Sequence, residues 1–132
     1  MFLDEIAQWL VDKGVGVLGQ NIFKSSSAVI PSGNGPYMTI SETGGTAPVR
    51  VQNGARLLQC PTAQILVVAK VHTESRNMSR NAYSALDGVF NTVVTGCFYT
   101  KITARQEPTD MGLDSLNRAR VVFNIDAEKV PS

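Results

Sequence analysis

Histidine and cysteine are nearly absent from this chain of 132 residues: His72 stands alone, and Cys60 and Cys97 are its only thiols. A structural zinc ion needs a closed tetrahedral shell of thiolate and imidazole ligands at short spacing. These three residues, far apart and in no CxxC pattern, do not supply one, so no metal and no cofactor is expected. The same scarcity weighs against nucleophilic catalysis, because a Ser-His-Asp or Cys-His arrangement would have to be built around His72 alone. The cysteines are expected as free thiols of a reducing cytoplasm, with one disulfide between them left open. Long apolar runs are missing too. The longest, Ile65–Ala69, falls far short of the ~20 residues that span a bilayer. Asp4, Glu5 and Asp12 punctuate the first apolar stretch, where a secretory leader would be uncharged. A soluble protein assembled in the cytoplasm, with no membrane partner, is expected. Charge is sparse at 17% of residues and nearly balanced, with a formal net charge of +1. That balance argues against a dedicated nucleic-acid binder, which needs a basic face to neutralise phosphates.

What is present is apolar residue enough for one core, 43% of the chain, at a length that suits one domain over residues 1–132. Residues 2–13 read as an amphipathic helix, with Leu3, Ile6, Ala7 and Leu10 on one side and Asp4, Glu5, Gln8 and Asp12 on the other. Gly14 stops it. Residues 15–54 are rich in glycine, serine and proline and hold short strands at Val15–Phe23, Ala28–Ile30 and Tyr37–Ile40. The segments PSGNGP (31–36) and ETGGTAP (42–48) punctuate them as a turn and a loop. Gly14, Gly16 and Gly19 have GxGxxG spacing, but a helix precedes them where a dinucleotide fold needs a strand. The clearest strand lies within residues 55–72, where QILVVAKVH alternates Ile65, Val67, Ala69 and Val71 against Leu66, Val68, Lys70 and His72. Pro61 marks an edge, bend or start of that strand. A helix is expected over 75–91, capped by Thr73 or Ser75, with Met78, Ala82, Ala85, Leu86 and Val89 as its apolar stripe and Phe90 beside it. Residues 97–129 then read as an antiparallel β-hairpin. One strand places Phe98, Thr100, Ile102 and Ala104 on one side, and the returning strand does the same with Val121, Phe123 and Ile125. The expected architecture is α+β, an antiparallel β-sheet with two α-helices packed on one face, the other face being partly polar through Lys101, Thr103, Arg105, Asn124, Asp126 and Glu128.

Candidate chemistry is confined to the loop between the last two strands. Asp110 and Asp114, with Glu107 nearby, hold carboxylates in number for a cation or for acid–base work, but turn initiation and solvation are the commoner use. Arg118 and Arg120, two apart on a strand, are expected to project together toward Asp110, Asp114 or a neighbour's carboxylates. Trp9, off the main stripe of the first helix, either widens the core or marks an exposed anchor.

The stretch ITARQEPTDMGLDSLNRARVVFNID (102–126) resembles the C-terminal signature of small bacteriophage proteins known as tail terminators or minor capsid proteins. In that family a strand enters a Q-x-P-x-D-x-G-x-D loop and returns as R-x-x-F-N; here the positions are Gln106, Pro108, Asp110, Gly112, Asp114, Arg120, Phe123 and Asn124. The strand TAQILVVAK and the helix with RNAYSALDGVF are similar as well, so the resemblance covers most of the chain after residue 36. It implies a virion structural protein and not an enzyme. Its subunits would form a ring, expected as a hexamer, at the head-proximal end of the tail tube, assembled in the host bacterial cytoplasm. Its partners would be other copies of itself, the tail tube protein and a head-completion or connector protein. DNA would pass through the ring without being read by sequence. The candidate subunit or tube interface is Gln106, Glu107, Asp110, Asp114, Arg118 and Arg120, with the 42–54 loop as a second contact. The rival readings are a non-ring head-tail connector or minor capsid adaptor, and a small hydrolase using Asp110 or Asp114.

Overall fold

Eleven alternating residues, Ala119–Lys129, form the strand around which the sheet is built. The computed structural model describes residues 2–24, 33–44, 46–50 and 56–130. In chain order they form α1 (Phe2–Asp12), β1 (Ile22–Lys24), β2 (Tyr37–Glu42), β3 (Thr46–Arg50), β4 (Arg56–Cys60), β5 (Thr62–Ala69), α2 (His72–Leu86), β6 (Val89–Val94), β7 (Cys97–Ala104), β8 (Thr109–Leu113) and β9 (Ala119–Lys129). On one side β9 pairs antiparallel with β5, from Thr62↔Asp126 to Ala69↔Ala119. On its other side it pairs with β7 along its second half and with β8 along its first. Beyond β5 lie β2, antiparallel to it, and β1, parallel to β2; β6 flanks β7, and the β3–β4 ribbon joins through Gln59↔Lys129.

Period-two alternation sends Ala63, Ile65 and Val67 of β5 and Val121, Phe123 and Ile125 of β9 to one face, all fully buried. Both helices pack on that face. α1 supplies Phe2, Ile6, Ala7 and Leu10 to the core, and α2 supplies Met78, Ala82 and Leu86. Phe123 meets Tyr83 of α2 edge-on, with ring centroids 5.9 Å apart. The fold is the expected α+β sheet with helices on one face. Burial of each such large side chain contributes about 1.5–3 kcal/mol.

Several boundaries differ from the sequence reading, each for a physical reason. The strand expected over 55–72 is two, β4 and β5, split at Pro61, which has no N–H to carry a ladder bond. The helix expected over 75–91 begins at His72 and ends at Leu86. Neither Thr73 nor Ser75 caps it: the cap position is Val71, and the Ser75 hydroxyl donates back to the His72 carbonyl at 2.8 Å. Gly88, at φ 84°, turns the chain out of α2 into β6. β6 takes the place of the expected last helical turn, and β8 lies inside the expected 107–117 loop. Of the apolar stretch 15–23, only Ile22 and Phe23 enter a strand, and β3 begins within the expected 42–48 loop. The stretch Ala28–Ile30 and part of the 42–54 segment lie outside the described residues.

Candidate assembly surface

The connection between β7 and β9 carries five of the six candidate interface residues and the start of β9 the sixth, Arg120, and they are held in different states. Asp114 is inward and structural. Its Oδ1 accepts the backbone amides of Leu116 and Arg118 at 2.9 and 2.8 Å, and its Oδ2 accepts Arg118 Nε at 2.8 Å. Their side chains are only 15% and 7% exposed, so the pair closes the β8–β9 turn rather than facing a partner. Burial pushes the Asp114 carboxyl up, but the bonds from Arg118 and Leu116 outweigh it and hold it below the ordinary carboxylate value. Arg118 also stacks toward Tyr37 and donates to the Gly33 carbonyl at 3.4 Å. Asp110, by contrast, is half exposed and crosses from β8 to the start of α2, with its Oδ1 2.9 Å from His72 Nε2 and 3.3 Å from Arg76 Nη1. The bond to His72, with the charge of Arg76 behind it, keeps its carboxyl below the ordinary value. Arg120 donates to the Met111 carbonyl at 2.9 Å, a contact within the turn, so the two arginines do not act as a pair. Gln106 and Glu107 are exposed at the bend before β8. Both cysteines are free thiols, Cys97 buried and Cys60 half-buried.

At the far end of β9 stands a buried ionic group that the sequence reading missed. Glu5 of α1 was assigned to the polar side, yet it is 7% exposed and its Oε1 accepts Lys129 Nζ at 2.7 Å and the Tyr99 hydroxyl at 2.5 Å. Tyr99 can reach it because β7 breaks its alternation. Tyr99 pairs with Lys129 but Lys101 pairs with Glu128, so β7 spends one extra residue at Thr100. Across the ribbon Asn91 adopts φ 49°, between the pairs Phe90↔Lys101 and Thr92↔Tyr99, and keeps β6 in step. The bulge turns Tyr99 and Ile102 both inward and leaves Phe98, expected in the core, 40% exposed on the opposite face. Trp9 is half-buried and donates to the Ala85 carbonyl at 2.9 Å, stapling α1 to α2.

No family model matches the chain, and no curated protein does. Among solved structures it is similar to a chain from the virion of a native gene transfer agent (GTA) particle. The identity is 12% and the TM-score 0.55, over 96% of this chain and 84% of that one. The fold is one found in a virion. A second solved chain, known only by a sequence identifier, matches at 12% identity and a TM-score of 0.58, over 99% of this chain and 92% of its own. At such identity both likenesses concern the fold.

Proposed function

We propose that the protein is a virion structural protein and, within the virion, a tail terminator. It forms a ring at the head-proximal end of the tail tube, ends tube polymerisation and offers the surface on which the head is joined. The observation that carries the virion part of this reading is the match of 96% of its length to 84% of a virion chain. The resemblance of residues 102–126 to the tail-terminator signature supports it as well; these residues lie in the β7–β8–β9 run of the sheet. The reading of the protein as a contact surface rather than a catalyst is favoured by the state of its loop carboxylates. Asp114 is consumed in its own turn and Asp110 in a cross-link to α2, so they do not converge on a shared proton or cation.

Electron micrographs of the purified protein test the proposal directly. Closed rings, expected with six subunits, that halt polymerisation of the tube protein when added to it support a terminator. Single subunits that bind portal or tube without closing and without arresting growth point instead to a connector or adaptor.

A further inference from the structure

The outer corner of the β6–β7 ribbon projects an apolar row. Phe90, Val93 and Phe98 emerge on the sheet face away from the helices at 58%, 60% and 40% exposure, because the matched irregularities at Thr100 and Asn91 align them. Val130, whose amide donates to the Phe98 carbonyl, extends the row at 41% exposure. At the other end of β9, where Leu113 pairs with Ala119, lies its counterpart. Here Met111, Leu113 and Leu116 are 50%, 60% and 46% exposed. Beside them a mostly apolar recess of about 210 Å³ opens among His72, Asp110, Gly112, Leu113, Ala119 and Arg120. Gly112 borders it at φ 80°, a left-handed conformation that suits glycine, with open space on the side where a Cβ would stand. The strand rises ~3.3 Å per residue, so the projection and the recess are separated by about 30 Å along β9.

We infer that these are the two halves of one contact between copies of this chain, with Phe90, Val93 and Phe98 of one copy seated against Leu113 and its recess on the next. The inference rests on the ring reading and names the surfaces that would close it. A ring subunit needs two different, mutually complementary patches, and a projection and a recess at opposite ends of one strand are such a pair. Each is edged by charges of both signs, Lys101 with Glu128 at the projection and His72 and Arg76 with Asp110 at the recess, which gives a rim able to fix register around an apolar centre. A projection packed against its own copy would leave the recess empty. A second copy fills both.

The test is a mixing experiment with Phe98→Asp and Leu113→Asp, read by sedimentation velocity, with Val93→Asp and Met111→Asp as a parallel set. All four sites are exposed, and unchanged circular-dichroism melting establishes that each variant is folded. Each variant alone is expected to remain a monomer. The two mixed together are expected to give a one-to-one dimer that grows no further, because the mixture holds one intact projection and one intact recess. Two outcomes overturn the assignment. In one, folded variants still form wild-type rings; in the other, Leu113→Asp dimerises with itself and mixing adds nothing. A wild-type protein that never forms rings, with tube protein present or absent, sinks the ring reading itself, and that result is distinct from the first two.

Discussion

Glu5 and Lys129 sit 7% and 3% exposed, 124 positions apart in sequence and 2.7 Å apart in space. Each justifies the other. Removing one leaves a buried unpaired charge, so Glu5→Ala should cost about 3–5 kcal/mol in chemical denaturation, whereas Glu5→Leu combined with Lys129→Met should recover most of it. Burial alone would raise the Glu5 carboxyl, but the bonds from Lys129 and Tyr99 and the Lys129 charge hold it below its ordinary value of 4.5. The folded carboxyl therefore binds its proton less readily than the unfolded one. Its stabilisation is complete above pH 4.5 and fades as pH falls through the folded value, so wild type should lose stability there more steeply than Glu5→Gln. Nothing local in the sequence marks this group, since a glutamate in the first turn of a helix reads as a dipole partner. The loop aspartates teach the same lesson in reverse. Asp110 and Asp114 look alike in sequence, and reversal of both would be expected to spare the fold. With Asp114 15% exposed and bonded to Arg118, Asp114→Lys should instead cost about 3 kcal/mol or more. Asp110→Lys should cost less than about 1, because its pair is half in water. Thermal melts of the two single variants separate them.

At the level of elements, what could be read was what strict periodicity announces. The apolar stripe of α1 and the alternation of β5 and of β9 placed Ile6, Leu10, Ile65, Val67, Val121, Phe123 and Ile125 in the core, where each is fully buried. Phe123→Asp should accordingly cost several kcal/mol, about 3–5, and a folded variant with unchanged melting would contradict the packing against Tyr83. Where periodicity is broken, the sequence misled. β7 looks regular, so Phe98 was given the place that belongs to Tyr99; only the partner strand reveals the extra residue at Thr100. The Thr95–Gly96 turn, with φ of 49° and 80°, was a legible hairpin signal hidden by the apparent extension of α2 through Val89 and Phe90. β8 escaped because TDMGL carries few strand-favouring side chains and owes its conformation to the open edge of β9. Asn91 adopts its left-handed conformation at lower steric cost than a β-branched residue would. Asn91→Val should destabilise by about 1–2 kcal/mol and Asn91→Gly by little, measured by urea denaturation.

Across the whole molecule, the strand–connection–strand course of residues 102–126 was legible because it is local, whereas the exposed face of Phe90, Val93 and Phe98 was not, since it depends on a bulge set against β9. On the polar face Lys101 is paired with Glu128 at 3.4 Å and Arg105 with Asp126 at 2.6 Å. Retention on heparin or duplex DNA should therefore be weak and lost at about physiological salt, and exhaustive chelation should leave assembly intact. Tight, steeply salt-dependent retention would mean that phosphates are a partner after all.

The strand on which β4, β5, β7 and β8 all lean follows each of them in chain order. During synthesis the earlier strands emerge with their inner edges unpartnered, and helices and hairpins can form only provisionally until Lys129 has left the ribosome. The bulge at Thr100 and the Leu113 edge are both set against β9, one by pairing near Lys129 and the other by pairing with Ala119. The sheet therefore closes around a strand that comes after its neighbours in the chain, and the two exposed apolar regions take their final places together, when β9 docks.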